Sequence, residues 1–328
     1  MSFSIRKFFS NLFVSIIVEA KECKIYGVIL KNGKIAKRIE TSFEHLENNK
    51  ANIRAIEYIK KYEKECSYIY IALFFDYMSQ GALPTTNTNA YINYGVDPNK
   101  VKIINMPSNW SIYANYMEMK LAKNILGNLQ VDLLYSPFAL LYRQLQQIGF
   151  SQGTTLYVYN HINSLALAIF EKDKMKFGAF FITSTTDEIE EDERDLQQVD
   201  TSQIDELLSN EKELNSFEKL ESLDKFDDIK DLDFQDINSL EDRNLANSIS
   251  IFGRDMKAYE YIVSAIDEYY SNSLYDAKFL EKIVFFNNTK MSKTFLSYIE
   301  SQLLLKIENY DINTIEIMNN LMIKEINI

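Results

Sequence analysis

The chain has 328 residues, 46% of them apolar, with a net charge of −12 and two cysteines. That length can bury a core divided between two domains, whereas the longest apolar run, Tyr68–Phe75, is far shorter than the ~20 residues that cross a bilayer. Two cysteines provide no disulfide framework, no secretory cleavage pattern is visible, and no basic stripe accompanies the aromatics, so a cytoplasmic chain without a nucleic-acid partner is expected.

Residues 1–13 form a basic, aromatic leader. At 100° per residue Met1, Ile5, Phe8, Phe9 and Leu12 fall on one side, with Arg6, Lys7 and Ser10 away from it. Two readings stand open: a membrane contact through Ile5, Phe8, Phe9 and Leu12, or a helix packed on the protein's own surface.

Residues 14–44 alternate apolar positions through β-rich runs around an Asn32-Gly33 turn, and residues 155–184 repeat the pattern around Lys172-Asp173. Two such meanders about 140 residues apart predict two related lobes facing a cleft. Between them the periodicity predicts a helix over Ala51–Lys64, a buried strand over Ser67–Phe75 and a loop-punctuated region holding the prolines. A strand over Val101–Asn105 and a helix over Trp110–Leu126, capped by Ser108 or Asn109, come next, with Trp110 as core. A strand at Val131–Tyr135 precedes a helix over Pro137–Ile148, whose proline suits a first turn.

Residues 187–243 hold 22 acidic and six basic residues, a local charge of −16 that leaves +4 on the rest. The segment contains neither glycine nor proline, and its leucines and phenylalanines recur at three and four residues, so marginal helix or disorder is expected. It is either a solvated insertion or a partner-binding acidic arm. Beyond it Tyr259, Ile262, Val263 and Ile266 mark a helix face, Lys282–Phe286 a strand and Thr294–Leu305 a helix. His45 and His161 have no ligand-spaced neighbours, so no metal site is expected, and no catalytic triad or serine-nucleophile motif is visible.

Three segments in order carry a family resemblance: the leader FSIRKFFSNLF, VDLLYSPFALLYRQL at residues 131–145, and YIVSAIDEYYSNS at 261–273 followed by FLEKIVFF. Together with the doubled meander they resemble the actin-like ATPase superfamily. Within it they are similar to PilM of type IV pilus machines and to the cytoplasmic domain of the type II secretion protein GspL. The resemblance implies an α/β, two-lobed actin-like (RNase H-like) fold with a partly disordered acidic insertion in lobe two. Residues 14–150 would form lobe one with a subdomain inserted at about 79–130, and residues 151–328 lobe two, interrupted at 187–248.

The family's nucleotide motifs are degenerate here. Its first phosphate loop, Asp-x-Gly-Ser-Ser, corresponds to Val18, Glu19, Ala20, Lys21 and Glu22; its second, Asp-x-Gly, to Tyr159, Asn160 and His161. The glycines under the adenine become Asn287, Asn288 and Thr289. Because close approach of backbone N–H groups to phosphate needs glycine, the expectation is a pseudo-ATPase with no catalytic residue and no ATP, metal or other cofactor.

The resemblance implies a non-catalytic adaptor, peripheral at the inner membrane. It would bind the N-terminal cytoplasmic tail of a PilN-like single-pass protein in a lobe-one groove and self-associate in a ring. A type IV pilus-like, secretion or competence machine, or a polar flagellar motor, would fit equally. An active ATP-dependent switch and a cytoskeletal polymer are the competing readings.

Overall fold

The computed structural model describes residues 9–19, 22–44, 53–183, 242–289 and 291–326; the acidic segment over 187–241, with Ile5, Phe8, Ala20 and Lys21, lies outside them. The chain divides into two compact units, Met1–Thr183 with Lys257–Ile328, and Ser184–Met256. In the second, helix α4 (Asp242–Ser271, which continues into the first unit) carries an Arg254–Asp255 ion pair at 3.4 Å.

The first unit is built on two five-stranded sheets of matching order. In the first, β1 (Ser10–Val18) pairs antiparallel with β2 (Glu22–Lys31) and β2 with β3 (Lys34–Glu44), while β4 (Tyr68–Phe74) and β8 (Leu133–Tyr135) extend it in parallel. The β2–β3 turn forms because Asn32 and Gly33 both adopt positive φ, 54° and 70°, which matches the twist of a tight hairpin. The second sheet repeats the plan with β9 (Thr154–Asn160), β10 (Ser164–Glu171), β11 (Lys174–Ile182), β12 (Lys282–Asn287) and β13 (Lys306–Asp311), turning at Lys172 with φ 55°. This duplicated order is the two-lobed actin-like plan.

Helices tie the sheets together. α1 (Ile53–Lys61) covers the first sheet beside β3. α3 (Pro137–Ile148), opened by its proline and by Ser136 accepting from the Phe138 amide, lies on β9 and β10. α5 (Lys293–Leu303) packs by β13, and α6 (Thr314–Glu325) crosses back onto β1, β2 and β4, touching α3. One apolar core consequently runs from Phe13 and Ile17 through Phe138 and Leu141 to Tyr157, Phe170 and Met318.

The inserted subdomain is a three-stranded sheet, β5 (Gln80–Leu83), β7 (Trp110–Asn115) and β6 (Val101–Met106), followed by α2 (Tyr116–Asn124). It docks on lobe two. Trp110 meets Phe170 edge-on at 5.6 Å, Ser108 Oγ donates to Asp173 at 2.8 Å, and a Cβ on Gly178 would sit 2.6 Å from the Ala82 carbonyl oxygen, so the backbones approach closely.

Two sequence expectations change. Trp110–Leu126 is a strand followed by a helix: Ser108 and Asn109, both at φ 64°, make a β6–β7 hairpin turn, and Asn115 caps α2 by accepting from the Met117 amide. The leader ends earlier, because β1 begins at Ser10; Leu12, paired with Ile29 and 1% exposed, belongs to the core and is no membrane contact. Its three-residue spacing from Phe9 imitates a helix face, but the antiparallel partner decides the conformation. Phe9 is exposed and lies edge-on to Tyr68. Trp110 is core, 1% exposed.

Among the described residues no helix is long and apolar enough to cross a membrane, and no group of three or more His, Cys, Asp or Glu could hold a metal ion.

Candidate functional site: the cleft between the sheets

β1 and β4 are parallel neighbours in the first sheet, and β9 and β12 in the second. The residues just past their C-terminal ends converge on one region, the usual place for ligands in open α/β sheets.

On the first lobe, Val18 closes β1 opposite Cys23 and the Glu19 amide donates to the Glu22 carbonyl at 2.8 Å. Glu19 is buried and accepts from Lys24 Nζ through both carboxylate oxygens, at 2.8 and 2.9 Å; Glu22 shares the same ammonium at 3.1 Å. Burial raises the Glu19 carboxyl above its ordinary value even against Lys24. Burial pulls Lys24 the other way, yet its bonds to the two carboxylates leave it raised. Asp76, two residues beyond β4, keeps part of its surface in solvent, but packing around its carboxyl, with Glu19 nearby, lifts it to about 7. Sequence reasoning missed Asp76; the signal was an acidic residue directly after the apolar octet.

On the second lobe the three positions of the second loop are sealed. Tyr159 is fully buried, its hydroxyl 2.8 Å from Thr314 Oγ1 at the start of α6. Asn160 Nδ2 donates to Asn287 Oδ1 at 3.0 Å and to Thr289 Oγ1 at 3.3 Å, and Asn287 in turn donates to Asn309 on β13. The Asn288 amide donates to the Asn160 carbonyl at 2.9 Å, and its side-chain oxygen accepts from the Thr314 amide at 2.8 Å. These asparagines give the strand ends a continuous polar lattice, which satisfies groups that would otherwise be costly to bury.

His161 begins the β9–β10 turn, its amide donating to the Ser164 carbonyl at 2.9 Å. Its ring is fully buried and packs on Phe74 of the first lobe, with centroids 4.5 Å apart. Neither ring nitrogen has a hydrogen-bond partner among the described residues. Burial, with Lys24 adding its charge, pushes the imidazole down to about 3, so it is neutral at physiological pH.

The structure thus brings together Tyr159, Asn160, His161, Asn287, Asn288 and Thr289 on one side, and Val18, Glu19 and Glu22 on the other. A cavity of about 520 Å³ remains beside them. Ile17, Glu19, Glu22, Lys24, Ile25, Glu40, Thr41 and Ser42 line it from the first lobe, with Asn288, Ile312, Asn313 and Ile315 from the second. Three carboxylates and one ammonium give it a negative balance, and Lys24 is already shared by Glu19 and Glu22.

No curated protein shows significant sequence similarity to the chain. Among solved structures it is similar to a Bacteroides thetaiotaomicron protein with an actin-like ATPase fold and unknown function (8% identity, 98% of each chain covered, TM-score 0.47). It is also similar to a structure of the PilM-PilN type IV pilus biogenesis complex (12% identity, 90% of this chain and 87% of that one, TM-score 0.46). A third is the ethanolamine utilization protein EutJ from Carboxydothermus hydrogenoformans (10% identity, 94% and 87% covered, TM-score 0.41). Residues 8–142 match the family model described as Domain of unknown function (DUF8569). Residues 156–327, more than half of the chain, match the model described as Domain of unknown function (DUF8341), and the chain belongs to that family.

Proposed function

We propose that this protein is a non-catalytic, PilM-like scaffold in which the actin-like cleft is a fixed joint and the working surface lies outside it. The observation that carries the reading is His161 packed on Phe74 across the two lobes. An actin-like ATPase places glycine and a carboxylate at this turn to hold phosphate; here a neutral imidazole and the sealed Tyr159 phenol occupy those positions. Glu19, Glu22 and Glu40 around the neighbouring cavity oppose a triphosphate by charge. The subdomain bonded to lobe two by Ser108–Asp173 and Trp110–Phe170 further opposes lobe opening.

The partner is the cytoplasmic tail of a PilN-like single-pass protein, which holds the scaffold at the inner membrane of a pilus-like, secretion or competence machine. Lobe one offers exposed apolar side chains for it: Met117 and Leu121 lie one turn apart on α2, and exposed Met78 precedes Ser79, which bonds Glu118 of the same helix at 2.8 and 2.9 Å. Titration calorimetry with ATP and ADP in Mg²⁺ tests the first part: no binding is expected, and micromolar affinity overturns the scaffold reading. Membrane fractionation tests the second. Met117→Asp with Leu121→Asp should release the protein to the soluble fraction, and unchanged membrane recovery would remove this surface from the reading.

A further inference from the structure

β3 is an edge strand of eleven residues with most of its side chains exposed, and among the described residues no strand pairs with its outer side. Such an edge leaves alternate N–H and C=O groups directed outward and is a template for another strand. Natural edges are blunted by bulges and charge; here the bulge falls at Ala36, where the register against β2 steps from Lys37↔Ile29 to Ile35↔Leu30. The stretch from Lys37 onward is regular.

The charges on that stretch are self-complementary. We infer that β3 pairs antiparallel with β3 of a second copy of this chain, centred on Ile39, to give a two-fold dimer with one continuous ten-stranded sheet. Centred there, Arg38 lies opposite Glu40 of the second copy, and Lys37 opposite Thr41, each pair occurring twice because a two-fold contact is isologous. Moving the centre one residue back sets Arg38 against Arg38, and one residue forward sets Glu40 against Glu40. Opposite charges facing across strands stabilise and like charges destabilise, so the pattern favours the Ile39-centred register over both of its immediate neighbours. Neither Arg38 nor Glu40 has an ion-pair partner among the described residues, so pairing disrupts no existing bridge.

Sedimentation of the full-length protein tests the inference. The wild-type chain should dimerise. Arg38→Glu and Glu40→Arg, each replacing two attractive pairs by two repulsive ones, should weaken self-association about tenfold or more while the circular dichroism spectrum stays that of the parent. Mixing the two variants should restore a dimer, because each then faces opposite charge at both pairs, and the double exchange Arg38→Glu with Glu40→Arg should also dimerise. A monomeric wild-type chain, single variants that dimerise as tightly as the parent, or variants that stay monomeric when mixed would each overturn the pairing; because Glu40 also lines the cleft cavity, Arg38→Glu is the variant that separates this edge from the nucleotide question.

Discussion

The imidazole of His161 and the ring of Phe74 lie 4.5 Å apart at 43°, the first carried by the turn after β9 and the second by the end of β4, so one aromatic contact joins the two sheets. Phe74→Ala should cost about 3 kcal/mol in urea denaturation, since a ring is removed from a site that cannot collapse around a rigid strand end. His161→Gly restores a residue that would admit phosphate, yet the asparagine lattice and the Glu19 and Glu22 carboxylates remain. ATP with Mg²⁺ should therefore leave its melting temperature unchanged. A rise with ATP would show that the ring plugs a competent site.

The pH dependence should be nearly flat where two opposed groups cancel. His161 titrates at about 3 in the fold and near its ordinary 6.5 when unfolded, so its contribution is lost as pH falls from about 6.5 towards 3. Asp76 titrates at about 7 in the fold against 3.8 unfolded, so stability is gained as pH falls from about 7 to 4, and the raised Glu19 acts with the same sign. Each group's slope is at most about 1.4 kcal/mol per pH unit. Asp76→Asn should raise the melting temperature at pH 8 and make it fall on acidification; His161→Phe should make it rise. Parallel curves for both variants and the parent would contradict this assignment.

Asn287 accepts from Asn160 and donates to Asn309. Asn287→Ala leaves the buried Asn160 amide only its 3.3 Å bond to Thr289, while exposed Asn309 turns to water, so about 1 kcal/mol should be lost. Chemical denaturation measures it, and Asn160→Ala in the same background should add less than it does alone if the lattice acts as one network.

Gly178 lies where a Cβ would sit 2.6 Å from the Ala82 carbonyl oxygen, a backbone atom that cannot turn aside. Gly178→Ala should destabilise by about 1–3 kcal/mol. It should also speed proteolysis in the subdomain loop around Pro84 to Gly95. Unaltered cleavage would mean that this contact does not hold the subdomain in place.

The meanders and the helices at Ile53–Lys61 and Pro137–Ile148 were legible because their signals are local: alternation, Asn-Gly turns, a proline in a first turn. That Trp110 belongs to the core was legible, but the element that carries it was not, because a strand of Trp-Ser-Ile-Tyr-Ala-Asn running directly into a helix carries a blend of both periods. Leu12 was misread for a related reason, since three-residue spacing near a chain segment with few residues fits a helix until its partner strand is known. The glycine losses pointed to the cleft, but what fills it depends on pairs such as His161–Phe74 and Glu19–Asp76, which are distant in sequence and acquire meaning only when β1, β4 and β9 converge.

Asn319 on α6 donates to the carbonyl oxygen of Phe13, 306 residues earlier, and reaches the Tyr26 carbonyl as well. The inner face of β1 and β2 is thus completed by a helix some three hundred residues further along the chain. Until α6 docks, Phe13, Ile17 and Tyr26 lack part of their cover, and contacts of such sequence separation slow folding.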